Sequence, residues 1–454
     1  MKFVHAADIH LDSPLQALAL QDVAQIARMR RATRDAFERM IDLCIEQQVS
    51  FIILAGDLYD HDCPNMQIAV FLRNQLARLE KEGIRVVIKK GNHDADNKIT
   101  SALDLPGNTR ILSDRKPETI RFDDLPVRVA VHGQSFKPGP VTENLAASYP
   151  APLQGYVNIG VLHTSLAGNA DHDNYAPCKL EDLMTRGYDY WALGHIHKGA
   201  VLARDPWVVY PGNLQGRHAK ETGPKGCIMV GVEDDRITSA ELVPLDVVRW
   251  HLAEVDLQGK TREPELIEGI RTSLAKAYRD ADGRPSAVRL ILSGRTPLHD
   301  AVERRPNRLR QTVLELAGEI GGDDIWIEKI RDDTTPPTAR TQAASNEAAS
   351  ELIQIMQEVA GDAAQIGPLL EKELEPLRTK LPEELKELPA LKLLDDPGLA
   401  RGVLTRVSSR GSLHASLARR TRSAYHTPPP SCLRPFYGSL ARLRSRTRPT
   451  PRLW

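Results

Sequence analysis

Short apolar runs at 2–6, 51–55, 86–88, 127–131, 157–162 and 190–193 have strand length, and most end in polar or glycine-containing turns. Between the early runs lie stretches with the 3.6-residue period of amphipathic helices. One covers about 22–47, with Ala36, Met40, Leu43 and Ile45 among its apolar positions. Another covers about 66–82, with Val70, Leu72, Leu76 and Leu79. Strand–helix–strand alternation of this kind predicts an α/β domain with a partly parallel sheet. Three later runs, 208–210, 226–232 and 237–243, follow in quick succession, the spacing of an antiparallel hairpin region.

After residue 245 the pattern restarts. Residues 251–257 alternate like a strand, 265–278 carry a helical period, 287–292 are strand-like, 308–320 helical and 325–330 strand-like again. This β-α-β-α-β order predicts a small domain over 246–335, closed by a Pro/Thr-rich stretch. The segment 336–396 is rich in Glu, Lys and Leu with helical period and several prolines, and is read as short helices. No internal repeat is found.

Composition changes this picture in few places. The 454 residues, 41% hydrophobic and 26% charged, suit two or three soluble globular domains. No run of about 18 apolar residues offers a membrane span. The first residues resemble a core strand rather than a secretory signal, so a cytoplasmic protein is expected. Five scattered cysteines (Cys44, Cys63, Cys178, Cys227, Cys432) without a CxxC pair fit reduced thiols and argue against a zinc-thiolate site.

The net charge of zero conceals an asymmetry. From Arg401 to the end there are 12 Arg and no Lys, Asp or Glu, which leaves 48 basic against 60 acidic residues in 1–400. An acidic body counts mildly against a nucleic-acid substrate, although bound cations and local patches supply positive field. Residues 397–454 are an Arg/Ser/Pro-rich tail with almost no periodicity. A frame-altered end, a natural disordered tail and a nucleic-acid-binding arm all fit it.

Five short motifs follow apolar runs in order: Asp8-Ile9-His10, Gly56-Asp57, Gly91-Asn92-His93-Asp94, His163, and Gly194-His195-Ile196-His197. Singly each is ordinary. A Gly-Asp pair is usually a turn, and a lone histidine beside a strand is usually structural. Together they place seven hard or borderline donors at the C-terminal ends of five strands, where α/β folds gather their functional loops. Carboxylates, an amide and imidazoles without thiolate suit two divalent cations, which clamp the attacking and leaving oxygens of a phosphoryl transfer. Such a pair needs a bridging carboxylate, and Asp57 is the best placed.

The ordered set D-x-H, G-D, G-N-H-D, H and G-H-x-H resembles the signature of calcineurin-like metallophosphoesterases. Longer strings narrow it to the SbcD-type DNA-repair nucleases and their YhaO-like branch: 5–15 (HAADIHLDSPL), 55–60 (AGDLYD), 132–136 (HGQSF), 162–165 (LHTS), 188–197 (YDYWALGHIH) and 210–218 (YPGNLQGRH). The resemblance is strong over 1–245, loose over 246–395 and does not reach the tail.

It implies a sandwich of two mixed β-sheets flanked by helices, a small α+β capping domain at 246–335 and a helical region at 336–396. It puts Asp8, His10, Asp57 and His197 on one metal and Asp57, Asn92, His163 and His195 on the other, with Mn²⁺ favoured over Fe²⁺, Mg²⁺ or Zn²⁺. His93 then protonates the leaving oxygen while Asp94 orients its ring. Arg217 and His218 are candidate phosphate contacts, with an ordinary surface loop equally open. The implied activity is DNA hydrolysis by an exonuclease subunit bound to an SMC-like (SbcC/YhaN-type) ATPase. A small-nucleotide or phosphoprotein esterase and a mainly structural DNA clamp are the alternatives. The helices at 22–47 and 66–82 are candidate faces for a homodimer, and burial in their own domain explains them as well.

Overall fold

The computed structural model describes residues 1–13, 23–60, 66–95, 104–166 and 175–337. The tail, and the helical segment beyond residue 337, lie outside them. The chain begins as β1 (Lys2–Ala6), α1 (Val23–Glu46), β2 (Phe51–Leu54), α2 (Met66–Lys81), β3 (Arg85–Ile88), the one-turn α3 (Asn92–Ala95) and β4 (Thr109–Ile111). It continues as β5 (Glu118–Phe122), β6 (Val129–Gly133), β7 (Val157–His163), α4 (Leu180–Met184), β8 (Tyr190–Gly194), β9 (Ala200–Arg204) and β10 (Trp207–Tyr210). The hairpin β11 (Gly226–Glu233) and β12 (Arg236–Pro244) follows.

Two six-stranded sheets result, ordered β12-β11-β1-β2-β3-β4 and β5-β6-β7-β8-β10-β9. Both are mixed: β1 to β4 run parallel beside the antiparallel hairpin, and the parallel β6-β7-β8-β10 is flanked by antiparallel β5 and β9.

The two-residue strand period explains the layers. Phe3, Phe51, Ile53 and Val87 point into the space between the sheets and meet Val131, Ile159, Val161, Tyr190 and Ala192 of the second sheet. Val4, Ala6, Ile52, Leu54, Val86 and Ile88 point the other way, onto Ala36, Phe37, Met40, Leu72 and Leu76 of α1 and α2. Trp191, Leu193 and Val208 cover the outer face of the second sheet together with Tyr149 and Leu183. Strands buried on both faces read as unbroken apolar runs, which is why these were visible in the sequence.

The chain then forms β13 (Arg249–Asp256), α5 (Glu263–Asp280), β14 (Ser286–Arg295), α6 (His299–Arg304), α7 (Pro306–Gly321) and β15 (Ile325–Thr335). The three strands are parallel in the order β13-β14-β15. Leu266, Ile270 and Leu274 of α5 and Val313, Leu316 and Ala317 of α7 bury one face of this sheet. Trp250, Ala287 and Trp326 join the core under α1 and α2. The junction is rigidly held. Asp246 is wholly buried, receives both Nε and a terminal nitrogen of Arg249 at 2.8 and 2.9 Å, and offers its carbonyl to Arg39 and Arg284.

His5 ties the two large sheets together. Its Nε2–H donates to Leu193 O and its Nδ1 accepts from the Tyr190 hydroxyl, both at 3.0 Å. Burial pushes its pKa down to about 3, against the pull of the Leu193 carbonyl. The unfolded chain therefore takes up a proton near pH 6.5 that the folded protein refuses. Stability present above pH 6.5 is lost as pH falls towards 3, on the order of 5 kcal/mol in all. His5→Gln, which keeps a donor and an acceptor without an ionisable ring, is expected to show a shallower acid limb in urea midpoints between pH 7 and 4. Parallel curves for the two proteins would count against this account.

Candidate metal centre

The seven donors foreseen in the sequence converge at the ends of five strands, three from one sheet and two from the other. Asp8 and His10 follow β1, Asp57 follows β2, Asn92 follows β3, His163 ends β7, and His195 and His197 follow β8. The loops are set by hydrogen bonds that prolong the sheet: Asp8 N to Gly56 O at 3.0 Å, His10 N to Asp57 O at 3.0 Å and Leu11 N to Leu58 O at 2.8 Å. Asp8, His10, Asp57 and His195 hold backbone φ of +51°, +47°, +54° and +96°, a region that side chains rarely occupy. Strained backbone of this sort collects at functional sites.

Asp8, His10 and His197 bring one ligand atom each to within 4.8 Å of one another, and so do Asp8, Asp57 and His163. His163 Nε2 lies 3.1 Å from Asn92 Oδ1 and 3.2 Å from Asp57 Oδ2. The His195 ring stands 5.2 Å from that of His163, and its backbone N–H donates to both oxygens of Asp8 at 3.1 Å.

The outward nitrogens decide what the inward ones can do. His10 Nδ1 donates to Asp60 Oδ1 at 2.7 Å, His197 Nδ1 to Glu221 Oε1 at 2.6 Å and His163 Nδ1 to Ala55 O at 2.9 Å. These oxygens only accept, so each Nδ1 carries the hydrogen and each neutral ring presents a lone pair at Nε2. His10 Nε2 and His197 Nε2 then face each other at 3.3 Å, as His163 Nε2 faces two oxygens. Acceptors opposed at such distances repel unless positive charge sits among them. A divalent cation at each cluster satisfies every one of them, so the donor set fits two metals.

The buried groups at the site also shift one another's titration. Burial would raise Asp57, but His163, His10 and His93 hold its carboxyl well below the usual carboxylate range. His163 is raised by Asp57 in spite of its burial. Lys89, wholly buried with its ammonium 3.7 Å from the Phe136 ring centre, is pushed down to about 7 by burial against the pull of Asp57 and Asp94.

The remaining candidates are placed as follows. The His93 backbone N–H donates to Asp57 Oδ1 at 3.0 Å. Its Nε2 is 4.0 Å from Asp57 Oδ2, and its ring meets that of His10 edge-on at 5.1 Å. Asp94 differs from its expected role. Its oxygens accept from the backbone N–H groups of Leu58, Tyr59 and Gly91 at 2.8, 3.1 and 3.0 Å, so it clamps the loop that carries Asp57. The carboxylate within 3.6 Å of His93 Nδ1 belongs to Asp60. A terminal nitrogen of Arg217 reaches Ser13 Oγ at 3.2 Å and Asp60 at 3.4 Å, while His218 sits 3.4 Å from Glu221. His61, Asp62, His172 and Asp173, two further His-Asp pairs of the sequence, lie outside the described residues.

Sequence reasoning passed over Asp60 and Glu221. Asp60 left a faint signal, a second carboxylate three residues after Asp57. Glu221 left none, because its partner His197 is brought to it only by the fold.

A helix-flanked pair of mixed sheets with carboxylate, amide and imidazole donors at its strand ends defines a class. The chain belongs to the calcineurin-like phosphoesterases, whose family model matches residues 1–199 and whose members use a dimetal centre. The model for the middle domain of the metallophosphoesterase YhaO matches residues 250–335. The chain is 36% identical over 339 residues to the uncharacterized metallophosphoesterase YhaO of Bacillus subtilis (strain 168), covering 74% of this chain and 82% of that protein. It is 26% identical over 326 residues to the DNA double-strand break repair protein Mre11 of Methanopyrus kandleri, covering 64% and 67%. Against a subunit of the nuclease SbcCD of Staphylococcus saprophyticus it is 26% identical over 366 residues, covering 74% and 91%. Among the described residues no helix is long and apolar enough to cross a membrane.

Proposed function

We propose that the protein is a two-metal phosphodiesterase that hydrolyses DNA, working with Mn²⁺ as the nuclease subunit of a complex with an SMC-like ATPase. The observation that carries the metal reading is the set of three imidazoles whose Nδ1 hydrogens are committed outward and whose Nε2 lone pairs converge on other acceptors. Asp8, His10, Asp57 and His197 would hold one cation, and Asp57, Asn92, His163 and His195 the other. When bound, the pair supplies Lewis acidity to the phosphoryl oxygens and acidifies the attacking water. His93, beside this cluster with its side chain 29% exposed, holds the proton for the leaving oxygen. Arg217, reaching the rim at Ser13 and Asp60, offers its guanidinium to a flanking phosphate, with His218 close behind.

DNA as the substrate is supported by the names of the Mre11 and SbcCD relatives. Residues 246–335 are read as a capping domain that helps orient a polymer.

Purified protein with Mn²⁺ tested on single- and double-stranded DNA, a dinucleotide and a phosphoester dye separates the readings. DNA cleavage that depends on His93 is expected. Activity on the dye alone would sink the DNA assignment. No turnover of any substrate with metal bound would favour a structural clamp.

A further inference from the structure

His197 is held at both ends by one loop, 213–225. Glu221 is buried and divides its oxygens: Oε1 takes the His197 Nδ1 hydrogen at 2.6 Å, and Oε2 takes Asn213 Nδ2 at 2.8 Å and Arg217 N at 2.7 Å. Lys225 Nζ and Asn213 N donate to the His197 carbonyl at 2.7 and 3.3 Å. The imidazole can neither flip nor tilt without breaking a charge-assisted bond in a place sheltered from water.

The same loop is fastened to the entry of the three-stranded sheet. Gln215, 1% exposed, uses its whole amide there. Oε1 accepts from Val247 N and Val248 N at 2.7 and 3.3 Å, and Nε2 donates to Gly216 O and Val248 O at 3.0 and 2.7 Å. Trp250 Nε1 donates to Gly216 O at 2.8 Å, Gly223 N donates to Trp250 O, and Leu245 N and Asp246 N both donate to Lys225 O. Trp250 is the second residue of β13 and is itself buried in the core cluster that includes α1. A run of hydrogen bonds and short stretches of loop backbone thus leads from β13 to the Nδ1 of His197.

We infer that Glu221 is a positioning residue for His197, and that the 213–225 loop couples the pose of the three-stranded layer to the affinity of the metal position that His197 serves. The inference rests on the reading of His197 as a metal ligand. A load on the layer, such as a polymer lying across it, would pass through Trp250 and Gln215 to Glu221 and rotate one imidazole. His163, which serves the other metal position, is anchored through Ala55 and β7 and lies off this path.

The test titrates Mn²⁺ alone into the full-length metal-free protein, with free Mn²⁺ read by electron paramagnetic resonance. Wild type should bind two ions and His197→Ala should lose one. Glu221→Gln is expected to weaken one site roughly 10- to 100-fold, the cost usual for removing such a partner, and to leave the other at its wild-type affinity. Gln215→Ala is expected to weaken that same site by roughly 2- to 30-fold. Trp250→Phe, which deletes the bond to Gly216 and keeps an aromatic ring in the core, does the same should Gln215→Ala fail to fold. Wild-type affinities in Glu221→Gln would overturn the positioning role. Wild-type affinities in Gln215→Ala or Trp250→Phe would overturn the coupling, as would equal weakening of both sites. Two ions bound at wild-type affinity by His197→Ala would instead refute the ligand reading beneath the inference, a different failure from these.

Discussion

Replacing His93 by alanine is expected to slow hydrolysis of an unactivated phosphodiester by roughly 10²–10⁴-fold, the range for losing a positioned general acid. Metal content should not change. The part of His93 that touches the donor cluster most closely is its backbone N–H, 3.0 Å from Asp57 Oδ1, and alanine keeps it. The ring stands at the rim between Asp57 and Asp60 and packs edge-on against His10. Its loss therefore removes a proton source and leaves the cation positions intact. The leaving group gives the sharper measurement. A nitrophenyl ester departs without protonation, whereas a sugar alkoxide does not. The deficit of His93→Ala in kcat should therefore shrink as the leaving group becomes more acidic. A deficit of equal size across the series would place His93 outside proton transfer.

Gly91→Ala should be as damaging by another route. A Cβ at Gly91 would lie 2.2 Å from Asp57 Oδ1 and 2.7 Å from Asp57 N. The first contact displaces the carboxylate that both metals are proposed to share, and the second pushes on backbone, which cannot swing aside. Asp57 has no slack to yield, because it also receives His93 N and faces His163 Nε2. We expect loss of Mn²⁺ binding, loss of turnover to background, and about 1–3 kcal/mol of destabilisation from overpacking. Metal titration and urea unfolding of the same preparation read both effects. Wild-type Mn²⁺ affinity in this variant would contradict the geometry. The clash also gives a physical reason for glycine before Asn92: the motif needs a residue with no side chain at the back of the bridging carboxylate.

The core strands were legible because they are buried on two faces, and a strand buried on both sides is apolar at every position. The strands the pattern missed, β4, β5 and β9, are all sheet edges: β4 closes the first sheet and β5 and β9 the second. An edge has less to bury. β4 reads Thr-Arg-Ile and β5 Glu-Thr-Ile-Arg-Phe, so no apolar run announces either, whereas β9 carries the short run Ala-Val-Leu-Ala with Val201 and Leu202 exposed and was passed over. The helices α4 and α6, five and six residues long, are too short to show a period.

For the site, ligand identities could be read from order and chemistry because each motif sits directly after its strand. What could not be read was which groups hold the ligands in place. Asp94 looked like the partner of its neighbour His93, yet a carboxylate at the start of a helical turn is drawn to nearby backbone N–H groups, and Leu58, Tyr59 and Gly91 claim it. Glu221 reaches His197 across 24 residues, and no local rule anticipates that pairing.

The positive φ angles at Asp8, His10, Asp57 and His195 bear on how this protein tolerates change. Each costs on the order of 1–3 kcal/mol that the surrounding sheet must offset, and glycine at the same position would release it. Heat tolerance and chemistry therefore pull in opposite directions at these four positions. A search for thermostable variants that screens on folding alone will be drawn towards glycine there and will collect robust proteins that no longer turn over substrate. The same search with Mn²⁺ present should be turned back, because bound metal stabilises only the chains that still carry its ligands.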